Sequence, residues 1–299
     1  MQKNMLLIVN PKAGKGTIKR KLPRIIKNFS DEGYFIETCY TRKDYKPKDI
    51  LKEHKNVKLD LVVCCGGDGT LNELINAVMS MKDKPQISFI PLGTMNDFAR
   101  TIRMSTNKIF LSKHINESRM IKSDIGSFND VYFNYVAAFG AFTPVPYVTP
   151  HKLKKVFGKI AYFIVGIIYI GKIRSYNVKF KVNGEEYSDR VIYGSVSNSK
   201  SIGGFEWFKR KGVKINDGKF EVLLIKRPKN IIGWINTLFL LVIKKHKSKY
   251  FYYFQTDEIE IESEKKLVWT LDRRVWGTQE QNRNKRQQRS NRIYNSNLI

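Results

Sequence analysis

Leu59-Asp60-Leu61-Val62-Val63-Cys64-Cys65-Gly66-Gly67-Asp68-Gly69-Thr70-Leu71-Asn72-Glu73-Leu74-Ile75-Asn76-Ala77-Val78 decides the fold. Residues 59–65 are an apolar run that reads as a buried strand, and 71–78 read as a helix. A glycine-rich turn between a strand and a helix N-terminus points backbone N–H groups at one spot, and phosphate is the natural occupant. Asp68 is the odd member, because a carboxylate beside a phosphate is repelled unless a cation or a donated proton intervenes. A tight structural turn with a capping aspartate is the plainer reading. Three glycines around one Asp, followed by Thr, favour the functional one.

Upstream, Met5–Val9 reads as a first strand, Ile18–Phe29 as a helix, Tyr34–Tyr40 as a second strand ending at Thr41, and Pro47–His54 as a short helix. Asn10-Pro11-Lys12-Ala13-Gly14-Lys15-Gly16-Thr17 forms a basic, glycine-containing loop after the first strand, readable equally as a second nucleotide-facing loop or as a plain strand-to-helix turn. It is not a Walker A loop, because no Gly-Lys-Ser/Thr closes it. Strands alternating with helices argue for a parallel sheet covered on both faces, with ligands at the carboxyl ends of the strands. Asn10, Thr41 and Gly66 all fall at such ends. Downstream, Ile87–Ile90 is another strand, running into Pro91-Leu92-Gly93-Thr94-Met95-Asn96-Asp97-Phe98-Ala99-Arg100. This second Gly-Thr turn repeats the character of the first. Arg119–Gly126 reads as a strand carrying Asp124.

After residue 125 the pattern changes to short alternating strands: Val131–Phe139, Ser175–Val182, Glu186–Val196, Lys219–Ile225, Tyr250–Ile261 and Lys266–Leu271. Asn183-Gly184 is a type I′ hairpin signal. Apolar helices are expected at Leu153–Ile173 and Asn230–Lys245. The fold class is therefore an α/β N-terminal nucleotide-binding domain, a parallel sheet with flanking helices, followed by a β-sandwich-like C-terminal domain with inserted helices. The expected boundaries are 1–125 and 126–272, with 273–299 an aberrant, disordered basic tail.

The 299 residues carry a net charge of +27, of which the tail supplies +6 from seven Lys/Arg and one Glu. Such charge attracts polyanions, either nucleic acid or an anionic membrane. The chain carries no recognised nucleic-acid module, so no specific nucleic acid is expected. The cysteines Cys39, Cys64 and Cys65 lack metal-ligand spacing and fit reduced cytosolic thiols. The N-terminus enters a strand directly, without a signal peptide, and the longest apolar runs, Ile160–Ile170 and Ile231–Ile243, are too short for a membrane span.

Gly66–Glu73 followed by Pro91–Arg100 resembles the soluble bacterial diacylglycerol kinases, a family similar to sphingosine and ceramide kinases. Asn10-Pro11-x-x-Gly14, Asp124-Ile125-Gly126 and Asn216-Asp217-Gly218-Lys219 match in order, over roughly residues 1–272. The resemblance implies ATP-dependent phosphorylation of a lipid hydroxyl, diacylglycerol or a relative. ATP would contact Asn10, Pro11, Lys12, Ala13, Gly14, Thr41, Gly66, Gly67, Asp68, Gly69, Thr70, Leu71, Asn72 and Thr94. Asp68, Asp97 and Asp124 would hold catalytic Mg2+ through water. A structural Mg2+ would sit on Asp217 and the carbonyls of Lys214 and Lys219. The partners implied are the lipid substrate, an anionic membrane surface and a second copy in a homodimer. The location would be cytoplasmic, peripheral to the inner face of the plasma membrane. Basic ends at Lys152–Lys159 and Lys244–Lys247, beside apolar helices, suit that surface.

One departure stands out. The family's general base is the Glu of Leu-Asp-Gly-Glu, but this chain reads Leu271-Asp272-Arg273-Arg274-Val275-Trp276. Asp272 aligns and is the nearest candidate for a substitute catalytic base. Arg274 holds the base position, and arginine does not give up its proton in proteins. One base inserted ahead of codons for Gly-Glu-Tyr-Gly yields Arg-Arg-Val-Trp, so the tail reads as a frameshift product. Activity is then expected to be impaired. The alternatives are an inactive nucleotide- and lipid-binding homologue and, against the second motif, an NAD kinase-like enzyme.

Overall fold

The computed structural model describes residues 3–16, 18–117, 120–141, 173–199, 201–202, 205–206, 214–272, 274–276 and 290–296. Two compact units result. One comprises chiefly 1–125 with Val131–Asn134, and the other takes Gly126–Asp130 and Tyr135–Asn297.

The first unit contains β1 (Lys3–Val9), α1 (Ile18–Asp31), β2 (Tyr34–Tyr40), α2 (Pro47–Glu53), β3 (Leu61–Gly66), α3 (Asp68–Met79), β4 (Gln86–Pro91), α4 (Asp97–Thr101) and α5 (Lys108–Lys113). The strands form a parallel sheet in the order β2-β1-β3-β4. Successive side chains of β1 and β3 go to opposite faces. Leu6, Ile8, Val62 and Cys64 pack on α2 and α3 through Ile50, Leu51, Leu71 and Leu74. Met5, Leu7, Val9, Val63 and Cys65 pack on α1 through Ile18, Leu22, Ile25 and Phe29. Continuous apolar sequence in β1 and β3 is what burial on both faces demands. Each fully buried Leu, Ile or Phe contributes about 1.5–3 kcal/mol. Burial pushes the thiol of Cys64 well up and that of Cys65 up to about 12, so both stay protonated core residues.

The expected strand 119–126 begins later, as β5 (Ile125–Phe128). Residues 121–124 are irregular and deliver a buried Asp124. The expected strand 131–139 is interrupted at Asn134-Tyr135, giving β6 (Val131–Phe133) and β7 (Val136–Gly140).

The second unit continues with β8 (Tyr176–Val182), β9 (Glu185–Ser197), the short β10 (Ser201–Ile202) and β11 (Phe205–Glu206), and β12 (Phe220–Lys226). After these come α6 (Ile231–Val242), β13 (Phe251–Thr256), β14 (Glu258–Ser263), β15 (Trp269–Leu271), β16 (Arg274–Trp276) and β17 (Ser290–Ser296). Its sheet is antiparallel, running β16-β15-β7-β9-β8-β14-β17, with β12 joining β9 to β13. The hairpin β8–β9 turns through Asn183 (φ 52°) and Gly184 (φ 81°), both positive as a type I′ turn requires. β9 is the hinge of the sheet. Its first half pairs with β8 and is half exposed; its second half lies between β7 and β12 and is wholly buried. Gly194 sits under the Phe139 ring, where a methyl would come within 2.2 Å of the ring edge. Phe139 and Phe128 in turn flank the buried Trp269, at centroid distances of 4.7 and 4.8 Å. The single expected strand 250–261 is divided at Asp257 into β13 and β14.

The tail was expected to lack regular structure from residue 273. Two parts of it are strands instead: β16 forms a hairpin with β15, and β17 pairs with β14, Arg292 lying opposite Glu260. Ladder hydrogen bonds are made by the main chain, so a polar segment without proline suffices when a free edge is available. Most of the expected helix at 153–173 falls outside the described residues. Among those described, no helix is long and apolar enough to cross a membrane.

Asp189 of β9 ties three strands together. Its Oδ2 accepts from Tyr252 Oη (2.9 Å) and faces Lys226 Nζ (3.2 Å), and Oδ1 accepts from Arg190 N (2.7 Å). Burial alone would raise its pKa, but these donors outweigh burial and hold it below the ordinary 3.8. A lowered native pKa stabilises above the unfolded value and is lost as pH falls through the native one. Asp189→Asn should therefore cost about 0.5–1 kcal/mol at neutral pH, the pair being about one-third exposed. The difference from wild type should vanish in acid. Urea unfolding of both proteins across pH checks this; a pH-independent difference would contradict it.

Candidate active site

Three loops meet at the carboxyl end of the parallel sheet. The first is the turn after β1. Asn10 N donates to Cys65 O (2.9 Å), and Asn10 Oδ1 accepts from Lys12 N (3.1 Å). Asn10 O accepts from Ala13 N (3.1 Å), closing a turn over Asn10–Ala13 that leads into a 3₁₀ helix, Ala13–Gly16, in which Gly14 has a φ of +59°. Asn10 Nδ2 then reaches across to Thr70 Oγ1, 2.9 Å away. Pro11 lies in this turn, half buried, and Lys12 is exposed.

The second loop is the turn into α3. Gly66 ends β3 and Gly67 is the extended N-cap, its carbonyl accepting from Thr70 N (3.0 Å) and Leu71 N (3.1 Å). Asp68, Gly69 and Thr70 make the first helical turn, and Asp68, Thr70, Leu71 and Asn72 are buried. Gly66 is demanded by packing, since a methyl there would lie 2.6 Å from Thr70 Cβ. The third loop, Leu92–Asn96, leaves β4. Leu92 N donates to Gly66 O (2.7 Å), and Asn96, at φ 50°, donates from Nδ2 to Gly93 O (2.8 Å). A methyl on Gly93 would stand 2.7 Å from Asn96 Oδ1 and 3.0 Å from Gly67 Cα, so the two glycine turns touch through bare backbone. Thr94 is exposed at the tip of this turn. Thr41 follows β2 and is held by its N–H to Val9 O (2.9 Å).

Asp68, Asp97 and Asp124 are 8%, 0% and 3% exposed, respectively. Among the described residues they do not form a set of three ligand atoms within direct coordinating distance of one another. Asp97 opens α4, where its carbonyl accepts from Thr101 Oγ1 (2.9 Å). One positioning residue escaped the sequence reading. Asn76 donates with Asn72 to Tyr132 O (2.8 and 3.2 Å) and accepts from Tyr132 N (2.9 Å), fixing β6 along α3. The signal was present as two Asn one helical turn apart.

Asp272, in the second unit, is a bracket. Its Oδ1 accepts from Tyr135 N (2.9 Å) and Val136 N (3.0 Å), its own N–H donates to Val136 O (2.9 Å), and it is 1% exposed with φ 45°. A carboxylate committed to two main-chain donors anchors the start of β7 and is poorly placed to take a proton from a substrate. Arg274 is the first residue of β16. Lys214, Asp217 and Lys219 lie in an exposed turn before β12. There Asp217 Oδ1 accepts from Lys219 N (3.2 Å) and Gly218 has a φ of +76°.

A glycine turn opening on a helix N-terminus and bonded to two neighbouring loops at the carboxyl ends of parallel strands defines a class of α/β protein whose ligand sits on those loops. The diacylglycerol kinase catalytic domain model matches residues 4–128. Diacylglycerol kinase of Staphylococcus saprophyticus is 30% identical over 239 residues, 80% of this chain and 78% of its own length. That of Bacillus subtilis is 27% identical over 272 residues, 90% of this chain and 89% of the relative. A crystal structure of a diacylglycerol kinase from Bacillus anthracis shares the fold, with a TM-score of 0.72 at 22% identity over 98% of this chain and 94% of that one. The chain belongs to the diacylglycerol kinase family.

Gly93→Ala should separate the two turns and cost about 1–3 kcal/mol, as inserting a methyl into packed backbone does. The check is the urea midpoint at unchanged slope. An unshifted midpoint would mean that the turns part freely and do not form one cradle.

Proposed function

We propose that the chain is built as an ATP- and Mg2+-dependent lipid kinase acting on the hydroxyl of diacylglycerol or a related lipid, with turnover impaired by Arg274. The observation that carries this reading is the junction of the three loops through Asn10, Thr70, Gly67 and Gly93. It gathers main-chain N–H groups and a positive helix end for the ATP phosphates. Asn10–Gly14, Thr41, Gly66–Asn72 and Thr94 would line the nucleotide. Mg2+ keeps several waters and takes one or two carboxylates plus substrate phosphate. The carboxylate chemistry of buried Asp68, Asp97 and Asp124 suits an ion reached through water. When bound, that ion neutralises phosphate charge during transfer. Asp217 and the carbonyls of Lys214 and Lys219 are the proposed holders of a second, structural ion.

On the acceptor side the chain has nothing in the base position to receive the hydroxyl proton, because Arg274 only donates. This observation favours a second reading, a homologue that binds nucleotide and lipid without turnover. Changing Arg273→Gly with Arg274→Glu, together with the in-frame terminal segment if resequencing confirms a shift, should raise ATP-dependent diacylglycerol phosphorylation by about 10²–10⁴. Robust and equal turnover before and after would show that another group serves as base. Nucleotide binding without turnover in both forms would establish the second reading.

The proposed location is the cytoplasm, against the inner face of the plasma membrane, and α6 supports it. Asn230 Oδ1 caps the helix through Gly233 N (2.9 Å), and Gly233, Trp234, Thr237 and Leu238 face inward. Ile231, Ile232, Ile235, Phe239 and Val242 line the outside, each 44–65% exposed. Lys244, Lys245, Lys247 and Lys249 follow directly. Twelve residues reach only about 18 Å, so the helix would lie in the interface plane with its lysines among anionic headgroups. Replacing Ile232 and Phe239 by Asp should weaken binding to vesicles containing anionic phospholipid at least about tenfold while leaving the thermal midpoint unchanged. Cosedimentation that is indifferent to the variant or to anionic lipid would rule this surface out. A halved mass of the variant in solution would assign the face to a homodimer instead.

A further inference from the structure

We infer that Glu37, Cys39 and His54 form a binding site for a divalent metal ion of the zinc class, fastening the edge strand of the parallel sheet to the helix beside it. Glu37 and Cys39 are two residues apart on β2 and so project to the same face. His54 is the C-cap of α2, the helix packed on that face. One ligand atom from each lies within 4.8 Å of the other two. The donors around a tetrahedral zinc stand about 3.3–3.8 Å apart, given bonds of about 2.0–2.3 Å. Small rotations of Glu37 and Cys39 therefore close the set.

The imidazole is already oriented for such a role. Its Nδ1 donates to Ile50 O (2.7 Å), which turns Nε2 toward Glu37 Oε1, 2.9 Å away. A ligating histidine ordinarily has its second nitrogen fixed in this way by a backbone carbonyl. The surroundings grade from dry to wet. The His54 side chain is 9% exposed, Cys39 is half buried against the core, and Glu37 is 57% exposed. The outer side thus offers an entry path and room for a water as fourth ligand. Thiolate with imidazole selects zinc-like ions over hard Mg2+. Binding would displace the protons of the Cys39 thiol and of His54 Nε2. A plain Glu37–His54 ion pair with Cys39 packed on the core accounts for the residues singly; the metal reading accounts for one ligand atom from each converging on a single point. The site stands on the first unit alone, independent of the kinase reading.

The test uses the full chain, stripped with chelator and titrated with Co2+, then with Zn2+. One equivalent of Co2+ should give the intense visible bands of a tetrahedral site and a near-ultraviolet thiolate charge-transfer band, and Zn2+ should displace them. Cys39→Ser should abolish the charge-transfer band, and His54→Gln should weaken binding at least about tenfold. Zn2+ should raise the thermal midpoint of wild type but not of Cys39→Ser. Cys64→Ser, in the core, and His114→Ala, which removes a separate His–Glu pair, should leave the titration unchanged. The inference fails if wild type binds no stoichiometric metal, or if Cys39→Ser keeps the same spectrum.

Discussion

The contact on which the candidate site depends is the approach of Gly67 and Gly93, where two backbones pass with no room for a side chain. β3 and β4 are neighbours with Gly66 opposite Pro91, so their exits leave the sheet side by side. Without glycine on both, the exits would be wedged apart and the bond from Leu92 N to Gly66 O would go with them. That bond and the Asn10–Thr70 bond set where α3 begins. The orientation of the helix dipole is thus fixed by main-chain packing before any ligand arrives. A ligand site assembled in this way needs little reorganisation on binding, which is where such sites gain affinity.

Much of this was legible from residues 59–78, because burial on both faces of β3 leaves an unbroken apolar run and a turn between strand and helix leaves glycines. The two glycine turns could be recognised separately. Their mutual contact could not, since strand order in a parallel sheet is not written in local sequence. Asn76 was passed over for the same reason: its partner, the backbone of Tyr132, is distant in sequence and invisible as a residue type. Asp124 was expected inside a strand and lies just before one. Pairing begins only at Ile125, and the Asp is left to an irregular approach that buries it.

Asp272 has a structural task that its residue type did not announce. Its residue type suited catalysis, yet the structure gives its oxygen two backbone donors at the start of β7. The Asn134-Tyr135 interruption that splits the expected strand is what aims those donors at one point. A break in a strand and a buried carboxylate on a distant hairpin are two halves of one device.

The tail separates what a fold requires from what chemistry requires. β16 and β17 complete ladders with β15 and β14 although their composition argued against regular structure. A ladder asks of its newest strand only N–H and C=O groups at the right spacing, and every non-proline residue carries both. A general base is different in kind, because only a few side chains can accept a proton near neutral pH, and arginine is not one of them. A strand of unrelated sequence can therefore complete a ladder, whereas a proton-accepting side chain is not replaced so freely. Fold and chemistry thus make separate demands on the same stretch of chain.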